Sequence, residues 1–156
     1  MVVNEAATIV SLEEVPERRQ TVAGYCREHW PPVYEHFVRV LDEVFSKKGA
    51  LPLCCLLLKG EAIIGFYVLA EREPLVRTDL TPWIGCLFVD EHERGRGLSA
   101  RLLEHGREAA GRFGFDRVYV TTDHIRFYEK FGFREIGLTT LRDGRPTKLY
   151  EHDTVR

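Results

Sequence analysis

The sequence has no apolar run that could cross a bilayer. Its longest, Leu51 to Leu58, falls far short of the roughly 20 residues a spanning helix needs. The opening stretch, MVVNEAATIVSLEEVPERRQ, lacks a basic region followed by an apolar one, so it does not read as a signal peptide. Cysteine is scarce. Cys26, Cys54, Cys55 and Cys86 show no metal-ligand spacing, and the adjacent pair would point to opposite faces of a strand. They read as reduced thiols of a cytoplasmic protein, and no metal is expected. No block of one charge sign occurs and the net charge is −2, which argues against a nucleic-acid or membrane-surface partner. Internal repeats and low-complexity segments are also missing.

What is present suits one globular domain over residues 1–156. The chain is 44% hydrophobic and 29% charged, and a domain of this length can bury a core without staples. Ala7 to Leu12 reads as a first strand. Glu13 to His29 reads as a mostly polar helix, broken at Trp30-Pro31-Pro32. Val33, Phe37, Leu41, Val44 and Phe45 follow helical spacing, and Lys47, Lys48 and Gly49 end that helix. Leu51 to Lys59 and Ala62 to Leu69 form a hairpin about Lys59-Gly60-Glu61. After a charged loop from Glu71 to Pro82, Trp83 to Val89 is a nearly continuous apolar run, expected of a strand buried on both faces. A helix then places Leu98, Leu102, Leu103, Ala109, Ala110 and Phe113 on one face. Val118 to Val120 is a strand, His124 to Phe131 a short helix stopped by Gly132, and Arg134 to Thr139 and Thr147 to Glu151 the last strands. The order predicts an α/β (α+β mixed) fold. Its central, mixed, largely antiparallel sheet is flanked by helices and holds one parallel βαβ unit over residues 83 to 120.

Two segments carry chemistry. Arg94-Gly95-Arg96-Gly97 lies between a strand and an amphipathic helix. Glycines allow a tight turn and a close ligand approach, the first helical amides are unpaired, and the helix dipole adds positive character. A pyrophosphate suits that position, with Arg94 and Arg96 adding formal charge. The turn is no Walker loop, since no G-K-S/T follows, and no dinucleotide fingerprint, since a third glycine is missing. In the second segment, Phe127 and Phe131 are four apart, as are His124 and Tyr128, which predicts an imidazole beside a phenol on one helix face.

Together these segments resemble the GCN5-related N-acetyltransferase (GNAT) superfamily. Its cofactor motif, Q/R-x-x-G-x-G/A after a strand, is matched by Leu87-Phe88-Val89-Asp90 and then Arg94-Gly95-Arg96-Gly97-Leu98-Ser99. Its later signature is matched by Phe127-Tyr128-Glu129-Lys130-Phe131-Gly132-Phe133. The resemblance runs from about Ala50 to Glu151. Ser99 replaces the usual Gly or Ala, Asp90-Glu91 lacks the common proline, and Thr121 stands where an asparagine often contacts the cofactor.

The resemblance implies the acyl-CoA N-acyltransferase fold and acetyl transfer from acetyl-CoA, as co-substrate, to a primary amine by direct attack on the thioester. The backbone of Leu87, Phe88 and Val89 would pair with the pantetheine arm, helped by a bulge at Gly85. Amides from Gly95 to Ala100 would cradle the pyrophosphate, and Tyr128 would lie near the sulfur and protonate it. A backbone amide of the cofactor strand would hold the developing oxyanion. An alkyl amine, with a pKa near 10.4, is only about 0.04% neutral at pH 7, so a base is needed. Trp83 to Val89 contains no carboxylate. His124, Asp123 and a water relay all remain candidates. The loop from Glu71 to Pro82 and the helices from Glu13 to Lys48 would form the acceptor pocket, with Trp30, Tyr34 and Trp83 as lining or core residues. A homodimer is plausible through the exposed C-terminal strands of such folds. An acyltransferase for longer acyl-CoA, a non-catalytic acyl-CoA sensor and a purely structural module are the competing readings.

Overall fold

The computed structural model describes residues 6–77, 79–122 and 126–155. The described residues hold seven strands and three α-helices, in the order β1 (Ala7–Ser11), α1 (Arg19–His29), α2 (Tyr34–Ser46), β2 (Leu53–Lys59), β3 (Ala62–Ala70), β4 (Trp83–Val89), α3 (Leu98–Arg112), β5 (Arg117–Thr122), β6 (Arg134–Thr140) and β7 (Pro146–Asp153). The strands form one sheet in the order β1-β2-β3-β4-β5-β7-β6. β4 and β5 run parallel, with Trp83 opposite Tyr119, and the pairs β1–β2, β5–β7 and β6–β7 are antiparallel. The expected mixed sheet and its βαβ unit are therefore present. Among the described residues, no helix is long and apolar enough to cross a membrane.

The chain divides into two compact units. The first holds Met1–Val68 and Cys86–Leu102. Its helix α2 buries Phe37, Val40, Leu41 and Val44, the i, i+3, i+4, i+7 set of one helical face. Phe37 meets Phe66 at 4.6 Å between ring centroids, and Phe66 stacks on Phe88 at 5.6 Å. Cys54 to Leu58 on β2 are buried in succession, as in a strand covered on both faces. The second unit holds Leu69–Gly85 and Leu103–Arg156. Trp83 packs there with Leu75 and Leu149, and its indole N–H donates to the Leu80 carbonyl at 2.8 Å. Trp83 is 1% exposed and so belongs to the core. No disulfide links the four cysteines.

Four expectations need correction. The helix expected from Glu13 is two 3₁₀ turns, Leu12–Glu14 and Pro16–Arg18, before α1. Pro16 has no amide hydrogen to donate, and Val15, at φ −133° and ψ 58°, is not helical. The helix expected over His124 to Phe131 is, within the described residues, a single 3₁₀ turn, Tyr128–Phe131. Arg126 has φ +61°, outside the right-handed helical region, so no regular helix continues back through it. Phe113 lies beyond the end of α3 and is 41% exposed. Finally, β4 is not buried throughout: Gly85 to Phe88 are only partly covered, although β4 stands between β3 and β5 in the sheet order.

Gly65 marks a close backbone approach. A Cβ there would stand 2.5 Å from the Phe88 carbonyl oxygen and 3.4 Å from the Val89 Cα. Backbone cannot step aside as a side-chain tip can, so Gly65→Ala is expected to lower stability by about 1–3 kcal/mol. A shifted urea midpoint at unchanged slope would report it.

Candidate functional site

In the first unit, β4 ends at Val89 and the chain enters a turn that holds itself in place. Asp90 accepts the His92 amide at 3.0 Å and the Tyr25 hydroxyl at 2.9 Å. Burial and the Asp90 hydrogen bond push the Tyr25 phenol far above its ordinary pKa, so it stays a donor. Arg94 donates from Nε to the Val89 carbonyl at 3.0 Å and lies over the Phe88 ring at 5.7 Å. Glu93 accepts from Lys59 at 3.3 Å and from Arg96 at 3.1 Å. The two arginines expected to supply free charge are thus also used to brace the turn.

Gly95 and Gly97 have φ +82° and +74°, the left-handed region that glycine enters at no steric cost. At either position a Cβ would meet nothing within 4 Å. The glycines therefore serve backbone conformation and leave open space above the turn. Leu98 anchors the start of α3 in the core, while Ser99 and Ala100 follow it partly exposed. Beside the turn is a cavity of about 390 Å³ lined by Lys59, Glu93, Arg96 and Arg101, three cations against one carboxylate. Unpaired amides at a helix start, with this surplus of positive charge, suit a phosphate group. Upstream, Leu87 and Phe88 are partly exposed and Val89 is 5% exposed. Cys86 has φ +48°, rare for a residue with a side chain. The irregularity expected at Gly85 thus appears one residue later.

In the second unit, Tyr128 is 8% exposed and packs against the rings of Phe127, Phe133 and Tyr150. Gly132, at φ +86°, ends its 3₁₀ turn, and the Phe133 amide returns to the Tyr128 carbonyl at 3.2 Å. Thr121 is in β5 opposite Leu149. His124 and Asp123, considered above for a role beside Tyr128, lie outside the described residues.

Glu73 is the residue that sequence reasoning missed. It lies in the loop after β3, and its carboxylate rests against β4 at Gly85. A Cβ on Gly85 would stand 2.3 Å from Glu73 Oε1 and 3.1 Å from its Cδ. Burial pushes the Glu73 pKa up to about 7. Burial, and then the charge of Glu73, pushes Tyr128 up to about 12. The environment raises both groups, leaving a carboxyl that titrates near neutrality and a phenol that keeps its proton. No signal in the Glu71-Arg72-Glu73 run marks one glutamate over the other.

The Acetyltransferase (GNAT) family model matches residues 13–133. The chain belongs to this family. An acetyltransferase of Agrobacterium fabrum, Atu2258, is 38% identical over 58 residues, which are 35% of this chain and 42% of that protein. The match thus spans less than half of that relative's length. A GNAT-family acetyltransferase structure from Desulfovibrio desulfuricans superposes with a TM-score of 0.76 at 18% identity, covering 96% of this chain and 100% of that one. An aminoglycoside 6'-N-acetyltransferase complexed with coenzyme A gives a TM-score of 0.74 at 15% identity, covering 96% and 98%. At these identities the structural likeness is one of fold.

The raised Glu73 pKa has a consequence for stability. The folded state holds this proton more tightly than the unfolded chain, so the contribution of Glu73 to stability is fully present below about pH 4.5 and is lost as pH rises through about 7. A shift of this size corresponds to about 3 kcal/mol. Glu73→Gln is therefore expected to melt higher than wild type at pH 8 and about equally at pH 4, as read by thermal unfolding at both.

Proposed function

We propose that this GNAT protein transfers an acetyl group from acetyl-CoA to a primary amine, and that residues 1–156 act as one N-acetyltransferase domain. The observation that carries the reading is the turn at Gly95 and Gly97: two left-handed glycines with open space above them, at the start of a helix and beside a cation-rich cavity. Amides from Gly95 to Ala100 would hold the pyrophosphate, with Lys59, Arg96 and Arg101 supplying charge. Backbone groups of Leu87, Phe88 and Val89 would pair with the pantetheine arm as with an added strand. Thr121 takes the position where relatives often carry an asparagine toward the cofactor.

When bound, the coenzyme supplies an acetyl thioester, an electrophile with a thiolate leaving group. Tyr128 keeps its proton at neutral pH and can present it to the sulfur. Full transfer from a phenol near 12 to a thiolate of ordinary pKa, about 8.5, would be uphill by about 5 kcal/mol. Tyr128 therefore acts as a hydrogen-bond donor that steadies the leaving sulfur until a proton arrives.

The amine acceptor is taken to be a small molecule or a protein amine; the aminoglycoside named for one fold neighbour belongs in the first screen. A second reading, a non-catalytic acyl-CoA sensor, would keep the turn and need no polarised acid and base pair. The cytoplasm is the proposed location.

Calorimetric titration with acetyl-CoA and CoA is expected to give micromolar binding, and no binding by the folded protein would end the acetyl-transfer reading. Gly97→Val forces a β-branched residue toward φ +74° and is expected to weaken CoA binding at least about tenfold in a folded protein. Tyr128→Phe should lower turnover about 10²-fold, measured by thiol release, with CoA affinity unchanged.

A further inference from the structure

A primary amine reaches the enzyme as an ammonium ion and must lose a proton before its nitrogen can attack. β4 offers no side-chain carboxylate along Trp83–Val89. The loop after β3 supplies one instead. Glu73 lays its carboxylate where the side chain of residue 85 would be, and only a glycine there leaves that room. The place is the start of the partly exposed stretch of β4, Gly85 to Phe88, whose Leu87 and Phe88 the proposed function pairs with the pantetheine arm. Tyr128 is close enough for its phenol to feel the charge of Glu73.

We propose that the Glu73 carboxylate, set against Gly85 beside Tyr128, accepts the proton of the acceptor ammonium. This rests on the acetyl-transfer reading. The nitrogen then forms a bond to the acetyl carbonyl carbon and the carbon–sulfur bond breaks. On becoming an amide the nitrogen sheds a second proton, which goes to the thiolate held by Tyr128. Glu73 returns the first proton to water, so each cycle releases one proton and leaves both residues as they began. Burial makes Glu73 a stronger base than an ordinary glutamate while leaving it half ionised near neutrality. Among the described residues, the Tyr128 phenol feels its charge, Gly85 brings none, and the exposed Glu71 and Arg72 flank it on its own segment.

The test follows thiol release from acetyl-CoA with butylamine as acceptor, from pH 6 to 9. Wild-type kcat/KM is expected to rise through a limb near pH 7. Glu73→Gln should remove that limb and lower the neutral rate about 10²–10³-fold, with acetyl-CoA affinity unchanged and partial recovery in Glu73→Asp. Gly85→Ala needs only the mobile end of Glu73 to move, so it should keep stability and lose rate likewise. A readout independent of turnover is the ¹³C resonance of the Glu73 carboxyl, assigned by its absence in Glu73→Gln and expected to titrate near 7. A Glu73→Gln enzyme with wild-type rate and pH profile overturns the proposal. So does a Glu73 carboxyl titrating near the ordinary value of about 4.3, and this decides the matter where butylamine is not turned over. Wild-type protein that fails to bind acetyl-CoA is a different failure, which removes acetyl transfer and the role of Glu73 together.

Discussion

The chemistry of the second unit depends on one local constraint, a position on β4 with no side chain. Gly85 leaves a gap in the strand, and Glu73 fills it with a carboxylate. Burial raises the proton affinity of that carboxylate. The same charge, acting on the buried phenol of Tyr128, helps raise its pKa. One missing Cβ thus makes room for a carboxylate whose charge adds to the effect of burial on Tyr128. The next residue, Cys86, adopts a left-handed backbone that a non-glycine residue holds only when its surroundings enforce it, and such strain commonly gathers at functional segments.

The turn after β4 follows a different logic. Its glycines bear no close neighbours, so they are not there to make room for packing. They allow positive φ twice within three residues, immediately before α3 begins. Around them, Asp90, Glu93 and Arg94 spend their polar groups on the turn itself. A braced loop loses little freedom on binding an anion, which is the physical advantage of building such a site in advance.

Much of the architecture was readable from pattern alone. The apolar period of α2, the hairpin of β2 and β3 and the strand–turn–helix at Val89 to Leu98 depend on neighbours close in sequence, and local sterics determine them. Tyr128 was visible because its flanking aromatics and Gly132 form a compact signature. The misreadings came where local and distant forces compete. Phe113 has the right period for the core but falls one residue past the end of α3. The apolar run of β4 suggested full burial, because hydrophobicity reports what a segment can bury and not what covers it. The helix expected before Tyr128 was overruled by the positive φ of Arg126, which spacing does not reveal.

By itself the sequence determined the mixed α/β class, the glycine turn with its arginines, the tyrosine segment and the lack of any strand carboxylate on Trp83–Val89. Each is a matter of residue type and short-range spacing, and the backbone obeys those through sterics and hydrogen bonding. Only the tertiary structure decided which carboxylate stands against β4. Glu73 and Gly85 are twelve positions apart, on a loop and a strand, and nothing in either segment names the other. Proton affinity depends on the dielectric and charge around a group after folding, so the division of labour between Glu73 and Tyr128 exists only once the chain has brought them together.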